Sequence, residues 1–423
     1  MEISEKMERL EKNYESRFGN KESNSLSSYF PFSEELAQEL LNIYDSPLYV
    51  YQADILNKTI RRITKAFLYP HTQFRFASVT NGNISLLQIF CAAGWGLHAN
   101  TPGDIYLGLQ AGFSPEQIVY SGSNLNRAEM EQVLNWGVKT LNLDSIAQLQ
   151  LCCEVYKSFT GSFSPRLGLR LNLPEITGDS RIGVRPEEFA DAIALTSEVG
   201  LKLSGLHFYR GTGTNATAAF TNVIDQVIAI AKLLPDWEYL DFGGGFGYPY
   251  NHESAAFNWE KFGTELSDRM SCLETNIELI VEPGRAAIAG CATLLAKVVS
   301  VKWQSEKQIV GLDTTVANLS VPAVHGGYRE IITWKKSESE NYLTDVCGNT
   351  TYSRDYLSRN CYLPVLEIGN IIGILDVGAY GYAMSSHFLH RPKPAEVLLK
   401  NDTHYLIRKR EDYSVLLSNQ LFK

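Results

Sequence analysis

The sequence lacks any apolar run of the roughly 20 residues that a membrane-spanning helix needs. It has no excess of basic residues either, since 38 Lys and Arg stand against 47 Asp and Glu and give a formal net charge of −9. The first residues are charged and contain no apolar stretch typical of a signal peptide. These absences argue against membrane and nucleic-acid partners and predict a cytoplasmic protein.

Cysteine is sparse and irregularly spaced. The seven cysteines include the adjacent pair Cys152 and Cys153, form no CxxC motif and mostly lie within apolar stretches. This distribution predicts reduced thiols rather than a disulfide framework or a zinc site, and no metal is predicted.

A chain of 423 residues is too long for one hydrophobic core and predicts two domains. Short apolar, β-prone segments alternate with longer segments of helical periodicity, which predicts parallel strands joined by crossover helices. Eight such units favour a closed barrel over the alternative, an open doubly wound sheet. The predicted strands are Gln73–Ser78, Gly96–Thr101, Ile118–Gly122, Thr140–Ser145, Arg166–Asn172, Leu203–Tyr209, Tyr239–Gly245 and Ile277–Pro283.

After Arg285 the pattern becomes strand-like with few helical stretches. The predicted fold class is therefore α/β, a (β/α)8 barrel followed by a C-terminal β-rich domain. We predict an N-terminal arm with a short helix over 1–45, the barrel over 46–288 and the β-rich domain over 289–423.

The chemistry of a closed α/β barrel lies at the carboxyl ends of its strands. The seventh predicted strand runs into Gly243–Gly247, and consecutive glycines allow backbone N–H groups to surround a phosphate. The eighth runs into Glu282-Pro283-Gly284-Arg285, which adds a cation for a phosphate and a carboxylate that could pair with a protonated ring nitrogen. A tight turn explains a glycine run alone, but the two motifs together are much more specific.

These motifs resemble the pyridoxal-phosphate (PLP) decarboxylases of diaminopimelate, ornithine and arginine, whose fold is like that of alanine racemase. The resemblance extends from Ser46 over nearly the whole remaining chain. It is carried by the two glycine-containing motifs above and by Gly205-Leu206-His207, Arg170 in Leu-Arg-Leu-Asn, Asp376–Gly381 and Arg391–Val397.

The resemblance implies a set of residues that bind PLP. Gly243, Gly244, Gly245 and Arg285 would hold the phosphate, and Glu282 would pair with the ring nitrogen and keep it protonated. The remaining implied contacts are Thr212 at a phosphate-binding serine position, Tyr209 at the position of a stacking histidine, Arg170 near the cofactor face and Tyr380 reaching the phosphate from the β-rich domain.

The position of the cofactor-binding lysine departs from the family. The family motif resembles Tyr-Ala-Val-Lys-Ala-Asn, whereas this chain has Phe76-Ala77-Ser78-Val79-Thr80-Asn81, so that Val79 occupies the lysine position. The nearest preceding lysines, Lys65 and Lys58, lie on the helix before the strand. Valine cannot form a covalent link to PLP, and we therefore expect PLP to be held non-covalently.

Other departures fall on groups implied in catalysis. His98 replaces an acidic residue, Thr351 replaces a catalytic cysteine, and Asp355 in the same segment is a further candidate for contact with substrate. In the family this segment comes from the partner subunit, which implies a homodimer with shared active sites. Arg181 and Tyr328 are candidates for binding a carboxylate of a small amino-acid-like ligand.

The cofactor-holding groups are thus retained while catalytic groups are replaced. This pattern favours a diaminopimelate/ornithine decarboxylase-like protein that binds PLP, or a PLP–amino-acid adduct, with absent or altered chemistry. Two alternatives stay open. One is a conventional decarboxylase that works without the lysine link, and the other is a non-catalytic sensor or partner of an active decarboxylase.

Overall fold

The computed structural model describes residues 31–161, 163–251, 255–335 and 341–421. The chain forms two compact units. One contains residues 57–248 and 257–287, and the other contains the described residues up to Leu56, residues 249–256 and the chain from Ile288 onward.

The first unit is a closed barrel of eight parallel strands in which the last pairs with the first. Its strands are almost completely buried, as expected where helices cover the outside and side chains fill the inside. Elements are numbered along the chain, and α1 (Glu34–Tyr44) and β1 (Leu48–Gln52) belong to the other unit. The barrel strands are β2 (Thr72–Ala77), β3 (Gly96–Ala99), β4 (Ile118–Tyr120), β5 (Thr140–Leu143), β6 (Arg166–Arg170), β7 (Leu203–His207), β8 (Tyr239–Asp241) and β9 (Glu278–Val281).

Most of the longer barrel helices begin at a polar capping side chain. Thr101 and Asn126 form capping boxes with the third residue of their helices, and Ser145 and Asn258 accept a backbone N–H in the same position. The helices in this stretch are α2 (Ala53–Lys65), α3 (Ile84–Ala92), α4 (Pro102–Ala111), α5 (Arg127–Asn135), α6 (Ile146–Ser158), α7 (Pro174–Thr177), α8 (Phe189–Ser197), α9 (Ala218–Thr221), α10 (Ile224–Ala231), α11 (Trp259–Ser271) and α12 (Arg285–Ile288).

The second unit is built on a nine-stranded sheet. Strand β1 lies between two partners in this sheet, the antiparallel strand Ala292–Gln304 and the parallel strand Ala395–Lys400. The buried residues of β1 pack with those of α1 in one core. The main path is β14-β13-β11-β10-β1-β16-β17, while β15 pairs with β10 and β12. The elements are β10 (Ala292–Gln304), β11 (Lys307–Leu312), α13 (Val321–Val324), β12 (Ile331–Thr333), β13 (Tyr342–Cys347), β14 (Tyr356–Leu363), β15 (Ile371–Leu375), β16 (Ala395–Lys400) and β17 (Thr403–Arg408).

The domain boundaries differ from the predicted ones at the N-terminal end. We placed the start of the barrel domain at residue 46, but β1 is a strand of the sheet, so the barrel unit begins at Asn57. The short segment 249–256 also belongs to the sheet unit. The other predicted boundary, between 288 and 289, lies one residue from the observed change at Ala287 and Ile288. The predicted short N-terminal helix is α1, and residues 1–30 of the predicted arm lie outside the described residues.

The predicted fold class and all eight barrel strands are confirmed, and each strand ends one to four residues before its predicted end. The residues beyond those ends turn into the loops at the carboxyl edge of the barrel. No helix among the described residues is long and apolar enough to cross a bilayer. All seven cysteines are free thiols.

Candidate functional site

Glu282 follows β9 at the carboxyl ends of the barrel strands, a region called here the barrel mouth. Only 2% of its surface is exposed, and its backbone N–H donates to the carbonyl of Gly243 at 2.8 Å. Its Oε2 lies 3.3 Å from Nε2 of His207 and 3.7 Å from Nε2 of His98. Its Oε1 has no hydrogen-bond partner among the described residues. A buried, unpartnered carboxylate oxygen is suited to receive a donor from a ligand.

The two histidines beside Glu282 are neutral at physiological pH. Burial, followed by the nearby His207 and Arg170, lowers the pKa of His98 to about 3. Burial also lowers the pKa of His207 to about 4, although Asp241 acts in the opposite direction. Neither ring nitrogen of His98, nor Nδ1 of His207, has a hydrogen-bond partner in the described part of the chain.

Asp241, at the end of β8, is fully buried and held by N–H donors on both oxygens. Its Oδ1 accepts from the backbone N–H of Gly243 at 3.0 Å, and its Oδ2 accepts from Nδ2 of Asn142 at 2.9 Å. Asn142 also donates to Ser121 at 3.0 Å and accepts from the hydroxyl of Tyr239 at 2.8 Å. This network fixes Asp241 inside the barrel.

Asp241 and Glu282 form a coupled carboxyl pair. One oxygen from each, together with a ring nitrogen of His207, all lie within 4.8 Å of one another. Burial raises the pKa of Glu282 to about 7, while Asp241 and Arg170 oppose that change. Burial, and then the charge of Glu282, raise the pKa of Asp241 well above its usual value. Two buried carboxyl groups so close together favour retention of a proton.

The loop after β8 requires glycine. Gly243 and Gly245 have φ values of 67° and 96°. A Cβ on Gly243 would lie 2.0 Å from the carbonyl oxygen of Phe208, and one on Gly245 would lie 2.1 Å from that of Gly211. The backbone N–H groups of Gly244 and Gly245 have no acceptor among the residues that the structure describes. The loop therefore combines a backbone that excludes side chains with N–H groups suited to an anion.

The loop after β7 and the end of β6 form another side of the mouth. The guanidinium Nε of Arg285 lies 3.4 Å from where a Cβ on Gly213 would stand. The hydroxyl of Tyr209 is 3.0 Å from Oγ1 of Thr212, and Cζ of Arg170 lies 4.9 Å from the centre of the Tyr209 ring. The structure thus brings together the barrel residues that were predicted to bind the cofactor.

Val79 lies in a short 3-10 turn directly after β2, and 43% of its surface is exposed. The turn is fixed by Ser78, whose Oγ lies within hydrogen-bond distance of two acceptors, 2.8 Å from Oδ1 of Asp104 and 3.1 Å from the carbonyl oxygen of His98. Thr80 closes the turn by donating to the carbonyl oxygen of Ala77 at 2.8 Å. The side chain at position 79 therefore stands at the carboxyl edge of the barrel and offers neither an amine nor an acid.

One of the remaining predicted residues belongs to the barrel unit, and the others belong to the sheet unit. Arg181 is exposed on the loop between α7 and α8. In the sheet unit, Thr351 and Tyr328 are exposed and Tyr380 adopts a left-handed backbone with φ of 59° after β15. Their roles at a ligand site stay predictions.

Asp355 is a buried acceptor of several hydrogen bonds within the sheet unit. It is 3% exposed, and Oδ1 accepts from the backbone N–H of Val316 at 2.7 Å. Its Oδ2 accepts from the hydroxyl of Thr315 and the backbone N–H of Thr350, both at 3.1 Å. These hydrogen bonds hold the 348–355 loop in place. The contact of Asp355 with substrate stays a prediction.

Sequence reasoning missed Asp241 and Asn142. A signal for Asp241 was present, because a charged residue two positions before a glycine run and inside an apolar strand requires a buried partner. Asn142 carried no such signal, because its importance comes from strands that are adjacent only in the closed barrel.

Comparison with known proteins identifies relatives of the whole chain. The family model "Pyridoxal-dependent decarboxylase, pyridoxal binding domain" matches residues 53–289. Diaminopimelate decarboxylase of Methanothermobacter thermautotrophicus is 31% identical over 402 residues, which cover 91% of this chain and 94% of that protein. The corresponding protein of Aquifex aeolicus is 28% identical, with 91% and 94% covered.

Solved structures agree in fold. Diaminopimelate decarboxylase from Helicobacter pylori, complexed with L-lysine, has a TM-score of 0.81 at 26% identity and covers 90% of this chain and 98% of its own. Diaminopimelate decarboxylase from M. jannaschii, in co-complex with L-lysine, has a TM-score of 0.86 with 92% of this chain and 94% of its own covered, and its 24% identity supports the fold alone.

The barrel mouth fits PLP as the cofactor of this family. The unpartnered Oε1 of Glu282 suits a ring N–H, and the glycine loop with Arg285 suits a phosphate. Val79, at the position that the resemblance assigns to the cofactor-binding lysine, carries no amine. The chain belongs to the PLP-dependent decarboxylases with the alanine-racemase-like barrel, near the diaminopimelate and ornithine decarboxylases.

Proposed function

We propose that this protein binds PLP non-covalently, alone or joined to a small amino-acid-like ligand, and that its decarboxylase chemistry is absent or altered. One observation carries the proposal. The mouth has an unpartnered buried Glu282 oxygen and a glycine loop, while the chain has Val79 at the position that the family resemblance assigns to the lysine.

The described residues support each part of this binding mode. N–H groups of Gly244 and Gly245, with the charge of Arg285, would hold a phosphate. Glu282 would accept a hydrogen bond from the ring nitrogen, and Tyr209 offers an aromatic face beside Arg170. When bound, PLP supplies an electron sink for a developing carbanion.

The loss of the lysine amine affects catalysis in two ways. Val79 cannot hold the cofactor aldehyde covalently, and it cannot displace a bound product amine. Ligand orientation by the mouth residues still contributes to any bond cleavage, because orientation does not require the lysine. We therefore expect turnover to be slow or absent.

His98 is a replaced group that lies close to Glu282 in the barrel mouth. Its Nε2 is 3.7 Å from Glu282, and burial keeps the ring neutral. A neutral imidazole can donate or accept a hydrogen bond, and we propose that His98 contacts the ligand in this way in any residual reaction.

The protein is also proposed to act as a homodimer, with the loop that carries Thr351 and Asp355 completing the partner's site. The proposal follows from family resemblance. Light scattering on the purified chain tests it, and a monomer at all concentrations would contradict it.

The test of function is an absorbance spectrum of the purified protein with PLP, before and after borohydride, beside a Val79→Lys variant. We expect tight binding with the spectrum of a free aldehyde, and no borohydride-fixed adduct in the wild-type chain. A new covalent-link band in Val79→Lys would place residue 79 at the cofactor. A borohydride-fixed adduct in the wild-type protein would show that another lysine serves, and would contradict altered chemistry.

Release of carbon dioxide from diaminopimelate, ornithine and lysine separates the remaining alternatives. Multiple turnovers by the wild-type chain would favour a conventional decarboxylase. PLP binding without any release of carbon dioxide would favour a sensor or a partner of an active decarboxylase, and mixing with an active relative would then show whether hetero-oligomers form.

A further inference from the structure

The charge that Glu282 offers to a ligand depends on Asp241 behind it. No more than 2% of the surface of either residue is exposed. One carboxyl oxygen of each lies within 4.8 Å of the other and of a ring nitrogen of His207. Two ionised carboxylates at this separation, out of water, repel each other strongly unless a cation lies between them.

No side-chain cation fills that place among the described residues. Two arginines face the pair, but neither forms an ion pair with Asp241 or Glu282 in the described part of the chain. Arg75 instead donates to Gln73 and to the carbonyl of Phe74, and Arg170 lies over Tyr209.

The histidines do not supply the charge either. If His207 were protonated, its Nδ1–H would be buried without an acceptor. If His98 were protonated, both of its ring N–H groups would be buried without an acceptor. The charged or titratable groups that face Glu282 are Arg75 on β2, His98 on β3, Arg170 on β6, His207 on β7 and Asp241 on β8.

We propose that Asp241 and Glu282 share one proton in the ligand-free protein, so that the pair carries a single negative charge. Asp241 is then a positioning residue that sets the charge at the mouth. A pair of charge −1 matches a ligand whose aromatic ring carries one positive N–H, and this consequence for ligand class rests on the proposed function.

Infrared spectroscopy of ligand-free, EDTA-treated protein at neutral pH tests the pair directly. We expect a carbonyl stretch of one protonated carboxyl group, resolved from carboxylate bands, in the wild-type chain. Asp241→Asn and Glu282→Gln should each abolish the band, because the carboxyl group that remains can then ionise. Asp191→Asn, an exposed helical control, should leave it unchanged. No band in the wild-type chain, or a band that persists in both variants, would overturn the proposal, as would a stoichiometric metal ion that survives EDTA.

Titration with PLP gives a second, separate readout. Glu282→Gln should weaken the affinity by about tenfold or more, because the negative charge that faces the ring N–H is lost, whereas the exposed control Asp191→Asn should leave it unchanged. An unchanged affinity in Glu282→Gln would contradict the charge assigned to the pair. Because the infrared result needs no ligand, a failure of PLP to bind would contradict the proposed function while the band still decides the state of the pair.

Discussion

The guanidinium of Arg170 lies over the ring of Tyr209, with its central carbon 4.9 Å from the ring centre. The same tyrosine shares a hydrogen bond with Thr212 at 3.0 Å. One contact holds the face of the ring and the other holds its hydroxyl. The side chain of Tyr209 is therefore fixed as an aromatic wall of the barrel mouth before any ligand arrives.

The position of the Tyr209 ring predicts that two substitutions of this residue change PLP affinity by different amounts. Tyr209→Ala should weaken PLP binding by about tenfold, since a cation–π and stacking surface contributes about 1–2 kcal/mol. Tyr209→Phe keeps the ring and loses only the bond to Thr212, so its affinity should stay within about threefold of wild type. Fluorescence titration measures both, and equal losses in the two variants would contradict a role for the ring.

The buried His98 predicts a pH dependence of stability. The pKa of His98 is about 3 in the folded chain, against the usual 6.5 in the unfolded chain. Between these two pH values the unfolded chain therefore holds a proton on His98 that the folded chain lacks. His98 therefore lowers the free energy of unfolding as pH falls, by at most about 1.4 kcal/mol per pH unit. Glu282 and Asp241 have raised pKa values and act in the opposite direction, so the effect of His98 must be measured as a difference.

Urea unfolding at pH 6 and pH 5 isolates that difference. Wild type should lose about 1 kcal/mol more than His98→Gln between the two pH values. His71→Gln, at an exposed histidine, should keep the wild-type dependence. An equal change in the free energy of unfolding for wild type and His98→Gln would show that His98 is not held neutral.

Gly245 should be far less replaceable than a glycine with the same backbone in open space. Gly245 and Gly112 have φ values of 96° and 100°, but only Gly245 has a neighbour, the carbonyl oxygen of Gly211, within 2.1 Å of an added Cβ. Gly112→Ala should cost about 1 kcal/mol of stability and leave PLP affinity unchanged. Gly245→Ala should cost about 2–4 kcal/mol and abolish binding, because the phosphate loop must move. Similar behaviour of the two variants in unfolding and titration would contradict this reading of the loop.

Asp355 predicts a loss of stability in the sheet unit. Asp355→Ala removes an acceptor shared by Thr315, Val316 and Thr350 and leaves buried donors unpaired, which should cost about 2–4 kcal/mol. Asp191→Ala, on the exposed face of α8, should stay within about 0.5 kcal/mol of wild type. Thermal unfolding measures both, and a silent Asp355→Ala would show that the loop does not depend on the carboxylate.

The barrel was predictable because its strands are local, repeated signals in the sequence. Apolar segments such as Ile118–Tyr120 end at turn residues and alternate with helical segments, and closure follows from their number. Helices and hairpins were less sharply defined. The helical periodicity over 216–233 covers two helices, and the strand-like segment 396–405 contains a hairpin that turns at Asn401 and Asp402, with φ of 50° and 56°.

The residues missed were those whose partners are distant in sequence. Asn142 contacts Asp241 only because β5 and β8 face each other across the barrel interior. Residues 48–52 were placed in the predicted barrel domain, while the strand β1 that they form pairs with Ala292–Leu295 and Ala395–Leu399. Local periodicity cannot report such pairings, since it contains no information on which strands meet.

The position of β1 has a consequence for the synthesis of this chain. The strand lies between β10 and β16, so the sheet cannot be completed until Leu399 has left the ribosome. At about 5–20 residues per second, Leu48 waits roughly 20–70 s for that partner, while the barrel strands form from neighbouring segments. During that interval, Leu48–Gln52 lacks its parallel partner and keeps an unpaired edge, and a fragment that starts after it would lack an interior strand of its own sheet.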